Sequence, residues 1–274
     1  MDKFPITSDW IKAAAKYIIS RLWDVEKYKI VNDTNISAIF LAWAPWAWKT
    51  EFLETVFNDL KDIFVVIDID IYRKLFKWYN GDNSSKYQNA SVRVADKVLK
   101  FCFKNKLNFI FDGTFRNYNK AQQNFEQCEK YKRNVLVTLV FQDPRISFYY
   151  TFLRKLKKKR NVPIDVFIDG FYGSIESVFK VKKNFKEINI MIACKKYALR
   201  DRKQFSYDVN YEIWGVSQFC KKYGVWYYKW NFINRNRLQL DIEDFNNTPV
   251  RHFSWTWWIW TKIKIWYIEK FYKL

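Results

Sequence analysis

Ala42-Trp43-Ala44-Pro45-Trp46-Ala47-Trp48-Lys49-Thr50 is the stretch whose reading decides the fold. The apolar run over residues 36–41 precedes it and reads as a short buried strand. Glu51-Phe52-Leu53-Glu54-Thr55-Val56-Phe57 follows and reads as an amphipathic helix. Strand, tight loop, Lys-Thr and helix is the layout of a phosphate-binding P-loop, G-x-x-x-x-G-K-[ST]. The spacing and the Lys-Thr are in place, but Trp43, Trp46 and Trp48 stand where glycines belong. With glycine at all three, the stretch reads G-A-P-G-A-G-K-T, a complete P-loop.

A working P-loop does not tolerate those indoles. It wraps backbone N–H groups around phosphate oxygens, through φ values and close approaches that only glycine permits. Either this copy is degenerate, or the residue made in the cell differs from the one written. Composition favours the second reading. The chain has 14 Trp and 6 Gly. Typical usage is roughly 7% Gly, and the two counts together, 20 of 274, match it. Where UGA is read as glycine, a translation table in which UGA means Trp produces this pattern. The Lys-, Asn-, Ile-, Phe- and Tyr-heavy composition suits an AT-rich gene. The competing reading is a Trp-rich protein with a chance Lys-Thr.

At 274 residues the chain is one large domain, or one domain with an extension. Its net charge of +20 suits nucleic acid, an anionic membrane or a polyphosphate substrate. AT-rich coding also inflates Lys, so charge alone does not imply nucleic acid. Cys102, Cys128, Cys194 and Cys220 form no C-x-x-C, and they read as reduced cysteines of a cytoplasmic protein. His252 is the single histidine, which argues against a zinc site or a Ser-His-Asp triad. Asp2, Asp9 and Lys12 interrupt any N-terminal apolar run, so no export signal is expected. No uncharged apolar stretch reaches the ~18 residues that a membrane span needs.

Periodicity predicts a helix over 8–22 capped by Ser8 or Asp9, then a polar connector to residue 35. Strands are expected at 64–68, 108–111, 134–141 and 188–193 besides the first. Between them lie a short helix from residue 71, helices at 90–104 and 120–132, a basic helix at 145–160, and one from Pro163 towards Phe185. Alternating strands and helices predict an α/β fold of P-loop NTPase type. Its sheet would be doubly wound, mostly parallel and five-stranded, with flanking helices. The expected organisation is residues 1–35 as N-terminal helix and connector, 36–204 as kinase domain and 205–274 as C-terminal extension. Trp255 to Trp266 carries five tryptophans: a membrane-surface segment if literal, a glycine-rich loop if recoded.

In such sheets the ligand lies at the carboxyl ends of the strands. Those ends carry the P-loop, Asp68 and Asp70, Asp112, and Asp143. Lys49 is expected on the β- and γ-phosphates of ATP, and Thr50 on Mg²⁺. Asp70 suits a general base for an attacking hydroxyl, or else helix capping. Asp112 has the placing of a Walker B acid, or of a turn Asp. Arg154, Lys155, Lys157, Lys158, Lys159 and Arg160 suit a lid over ATP, or a solvated basic face. Aromatics are not interleaved with those charges, so nucleic acid is not an expected partner.

These residues together resemble the zeta toxin family, kinases of bacterial toxin–antitoxin systems. The likeness runs over residues 36–193. Its pieces are the P-loop, Val66-Ile67-Asp68-Ile69-Asp70-x-x-Arg73, Lys77-Trp78-Tyr79 in place of Pro-Gly-Tyr, residues 108–114, and Arg160-Asn161-Val162-Pro163. Trp78 is thus a fourth tryptophan at a glycine position. The resemblance implies ATP- and Mg²⁺-dependent phosphorylation of a sugar hydroxyl of UDP-N-acetylglucosamine, with an antitoxin protein as partner. It assigns Asp70 as base and Arg154 and Arg160 to the phosphates. It sets Trp43, Trp46, Ala47, Trp48, Lys49 and Thr50 around the nucleotide, and Arg73, Asp112 and Thr114 around the substrate. A kinase of another acceptor, or a basic nucleic-acid or membrane binder, are the alternatives. Binding preference, and salt-sensitive DNA binding without ATPase activity, separate them.

Overall fold

The computed structural model describes residues 6–22, 24–29, 36–43, 49–81, 83–142, 144, 147, 151, 162–185, 187–201 and 206–223. In chain order the elements are α1 (Ser8–Ser20), β1 (Ala38–Trp43), α2 (Lys49–Val56), β2 (Val65–Asp68) and the single-turn α3 (Ile69–Tyr72). Then come α4 (Ser84–Lys104), β3 (Phe109–Asp112), α5 (Tyr118–Lys130), β4 (Val135–Phe141), α6 (Ile164–Asn184), β5 (Asn189–Asp201), β6 (Ser206–Trp214) and α7 (Val216–Tyr223).

The sheet order is β2-β3-β1-β4-β5-β6. The first five are parallel, and β6 runs antiparallel to β5. β1 sits centrally because every one of its residues is buried, which only an apolar strand covered on both faces can satisfy. Its alternating side chains feed two cores. Ala38, Phe40 and Ala42 face the larger one, with Val94 and Val98 of α4, Phe125 of α5, and Phe171 and Val178 of α6. Ile39, Leu41 and Trp43 face the other, with Phe52 and Leu53 of α2. Phe40 is the hub of the first core, with the rings of Phe109, Phe111, Phe115 and Phe125 around it. These are the layers of a doubly wound sheet.

The sheet has six strands where five were expected. The additional strand, β6, lies past residue 205, in the segment expected as an extension, and pairs with β5 from Ile192↔Trp214 to Asp201↔Ser206. Other boundaries shift as well. The α1 cap is Thr7, whose hydroxyl accepts from Trp10 N, rather than Ser8 or Asp9. α4 starts at Ser84, six residues before expectation, after the N-cap Asn83. Asp143, most of the basic segment 145–160 and residues 224–274 lie outside the described residues. Among the described residues, no helix is long and apolar enough to cross a membrane.

Candidate active site

β1 sends the chain to β2, two places away, β3 fills the gap, and β4 takes the other side of β1. The strand order therefore reverses at β1, and in doubly wound sheets the carboxyl ends at such a reversal are where ligands bind. The register brings the expected residues to that edge. Asp68 stands opposite Asp112 on β3, and Asp112 opposite Leu41 on β1. β1 runs on to Trp43, and α2 begins at Lys49, so the strand–loop–helix frame of a P-loop is present. Trp46, Ala47 and Trp48 lie outside the described residues, as do the side chains of Lys49 and Thr50. Trp43 is regular strand, 4% exposed and packed in the α2 core. Among the described residues, no group of three or more His, Cys, Asp and Glu could hold a metal.

The two aspartates of Asp68-Ile69-Asp70 divide their work. An Oδ of Asp68 accepts from the N–H groups of Asp70 and Ile71, at 2.7 and 3.2 Å, and so caps α3. Asp70 is thereby relieved of the capping role. Its side chain is 47% exposed, and its Oδ1 lies 3.0 Å from Nη1 of Arg73. Arg73, expected on the substrate, is only 7% exposed, and its Nη2 donates to Oε1 of Gln88 on α4. Tyr72, the next residue inward, is buried. That burial, with Cys102 and Asp68 nearby, pushes its phenol far up, so it stays neutral. Cys102 and Cys128 are buried and free, and burial raises both thiols to about 12, which makes them inert core residues.

Asp112 is 1% exposed at the end of β3. The loop after it turns by way of Phe115, whose φ of 57° lies in the left-handed region that bulky residues avoid. Its ring is held between Phe40 and Phe125, while Thr114 and Arg116 on either side are exposed. Gly173 of α6 lets the loop approach: a Cβ there would stand 3.1 Å from the Arg116 carbonyl oxygen. Beside this contact lies a cavity of about 530 Å³, lined by Arg116, Asn117, Tyr118, Asn119, Val166 and Asp169.

Asp68, Asp70, Asp112 and Thr114 thus reach one end of the sheet as expected, whereas Arg154 and Arg160 lie outside the described residues. Sequence reasoning passed over Gln88, Phe115 and Gly173. Only Gly173 carries a signal, since glycine inside a helix costs ~1 kcal/mol and implies a packing reason.

No curated protein matches the chain. Its structure is similar to that of the PezAT chromosomal toxin–antitoxin system of Streptococcus pneumoniae. The TM-score is 0.56 at 15% identity, over 85% of this chain and 95% of that one. It is similar also to the AvrRxo1-ORF1:-ORF2 complex, with a TM-score of 0.51 at 9% identity over 81% and 79%. The same complex with ATP gives 0.51 at 10% over 79% and 70%. At such identities the likeness is one of fold. The zeta toxin family model matches residues 23–212, more than half the chain and the whole of the sheet except its last two residues, and the chain belongs to the zeta toxin family.

Proposed function

We propose that the chain, with glycine at 43, 46 and 48, is an ATP-dependent kinase that phosphorylates a sugar hydroxyl of UDP-N-acetylglucosamine. Family membership supports a toxin kinase, and the ATP complex among its structural relatives supports nucleotide binding. The observation that carries the assignment of roles is the division between two aspartates. Asp68 is spent on the cap, and Asp70 stands half-exposed at the carboxyl end of the sheet, next to the strand that ends in Asp112.

The acceptor hydroxyl attacks the γ-phosphorus, the bond to the β-phosphate bridging oxygen breaks, and ADP leaves. Asp70 orients the hydroxyl and takes its proton late. Lys49 neutralises the β- and γ-phosphates, and Arg154 and Arg160 spread charge over the transferring group. Mg²⁺, held by the Thr50 hydroxyl, supplies further charge neutralisation when bound. Asp112, buried at the end of β3, and Thr114, exposed just beyond it, face the acceptor. The protein works in the cytoplasm with an antitoxin as partner, the latter in line with the toxin–antitoxin system among its structural relatives. Residues 36–204 carry the catalytic parts.

The test is mass spectrometry of UDP-N-acetylglucosamine incubated with the glycine-restored protein and Mg-ATP, read for one added phosphate on the sugar. Asp70→Asn is expected to lose ~10²–10⁴-fold in turnover while ATP affinity holds. Parental turnover in Asp70→Asn would reduce Asp70 to a surface carboxylate. Phosphate on an oligonucleotide end instead would keep the kinase and remove the sugar nucleotide.

A further inference from the structure

We propose that Arg73 and Gln88 form a clamp that positions the Asp70 carboxylate, so that Arg73 serves the base and not the acceptor. This rests on Asp70 being the base. The family pattern places Arg73 on the substrate side, but its side chain points inward. It is 7% exposed, against 47% for Asp70, and both of its described polar contacts are to protein groups, Oδ1 of Asp70 and Oε1 of Gln88.

α3 is a single turn, too short to hold a side chain by its own stiffness. A half-exposed carboxylate on such a turn samples several rotamers unless a partner selects one. Arg73 is that partner, and its planar fork reaches two acceptors with one orientation. Gln88 fixes the far side of the fork from α4, a helix of 21 residues. The neighbouring Tyr87 ties the same helix to the turn beyond α3, its hydroxyl donating to the Lys77 carbonyl at 2.8 Å. The acceptor-side segment 68–79 is thus seated on α4 by two adjacent residues, and one of them acts through Arg73 on the base. Misplacing a reacting group by about 1 Å costs up to ~10²-fold in rate, so a clamp two contacts from the chemistry is expected in kcat.

The test is a double-mutant cycle on Gln88→Leu and Asp70→Asn with two readouts. In denaturation, which needs no activity, the two substitutions disturb one network, so the double variant's midpoint shift falls short of the sum of the single shifts. In turnover of the glycine-restored protein, Gln88→Leu lowers kcat by about 10- to 100-fold and leaves the acceptor KM within about twofold. In the Asp70→Asn background the same change alters kcat less than about twofold. Gln88→Glu, which retains an oxygen for Arg73, recovers part of the loss. Additive midpoint shifts overturn the clamp, and so does a Gln88→Leu protein with parental kcat and a raised KM. Coupled unfolding in a protein whose parent transfers no phosphate keeps the clamp and refutes the proposed reaction.

Discussion

The two sides of the cleft differ in how well residue and backbone agree. On the side we propose for the acceptor, several residues support the conformations they sit in, with Trp78 and Phe115 as exceptions at positive φ. Asp68 caps α3, Asp70 pairs with Arg73, and Gly173 admits the Arg116 backbone. On the side we propose for the nucleotide, the strand and helix of the frame are in place, while the written loop departs from the P-loop pattern at its glycines. β1 and α2 bracket the loop correctly, but the chain carries indoles where phosphate needs bare backbone. A decayed enzyme would lose both sides together, since selection no longer distinguishes them. Tryptophan at the glycine positions of a P-loop pattern that keeps Lys49 and Thr50 is what a misread codon would produce. The contrast between Trp43 and Trp78 sharpens this. Trp43 lies in regular strand, so the P-loop pattern, and not its own φ, is what calls for glycine there. Trp78 has φ +63°, so glycine there would serve the backbone itself. Two unrelated demands for one residue type meet the same written residue.

The largest effect is expected at the loop. The chain with Trp at 43, 46 and 48 should show no measurable heat on titration with Mg-ATP, and the chain with glycine at all three should bind. Equal binding by both would mean that the indoles do not obstruct the phosphate nest. The gene offers a second check without any protein. UGA codons are expected at 43, 46, 48 and 78, and UGG at the loop positions would make a degenerate copy the better account.

The acceptor side was legible only in part. β1, β3 and β4 could be read because strands buried on both faces are unbroken apolar runs. β6 could not: Ser206-Tyr-Asp-Val-Asn-Tyr-Glu-Ile-Trp214 interleaves polar residues, as an edge strand does, and followed a segment already read as an extension. The start of α4 hid behind the polar Ser84-Ser85-Lys86, which only the burial of Tyr87 explains. Asp68 and Asp70 were legible as a pair but not as cap and base, because D-x-D presents both equally and the register of a single helical turn decides between them. Gln88 was beyond reach. It contacts Arg73 from 15 positions away, and nothing in the sequence marks it.

A smaller effect tests whether the loop after β3 is seated as described. In Gly173→Ala the new methyl would lie 3.1 Å from the Arg116 carbonyl oxygen and 3.3 Å from its Cβ, so the loop must yield by a few tenths of an ångström. Helix propensity favours Ala by ~1 kcal/mol, and the strained contact offsets it. Thermal stability is therefore expected to change by less than about 1 kcal/mol while the acceptor KM rises, because Phe115 leaves the loop little freedom to move away. A clean gain in stability with unchanged KM would show that the loop does not rest on Gly173.

The last comparison isolates the backbone at residue 78. Left-handed φ alone does not demand glycine in this chain. Lys106 and Lys132, with φ of 53° and 50°, follow the last residues of α4 and α5, where helices commonly end in that conformation. Trp78 ends no such helix, and neither does Phe115, whose ring is held by Phe40 and Phe125. Trp78 sits in a turn that neighbours hold in place: Asn83 Nδ2 donates to its carbonyl at 2.8 Å, Tyr87 to that of Lys77, and Asn80 and Asn83 cap each other. Trp78 is 69% exposed, and the Lys77 ammonium lies within cation–π range of its ring, 5.1 Å from the centroid. Removing the ring therefore loses about 0.5–1 kcal/mol. Alanine and glycine both lose it, and they differ in what φ +63° costs: about 1–2 kcal/mol for a residue with a Cβ, little for glycine. Glycine's greater freedom in the unfolded chain returns ~0.4–1 kcal/mol of that. Trp78→Gly should thus be the more stable of the two by about 1 kcal/mol, a midpoint difference of ~2–4 °C. Trp78→Ala equal to or above Trp78→Gly would mean that the turn relaxes at no cost. Position 78 would then cease to be independent support for glycine, and the recoding proposal would stand on the loop alone.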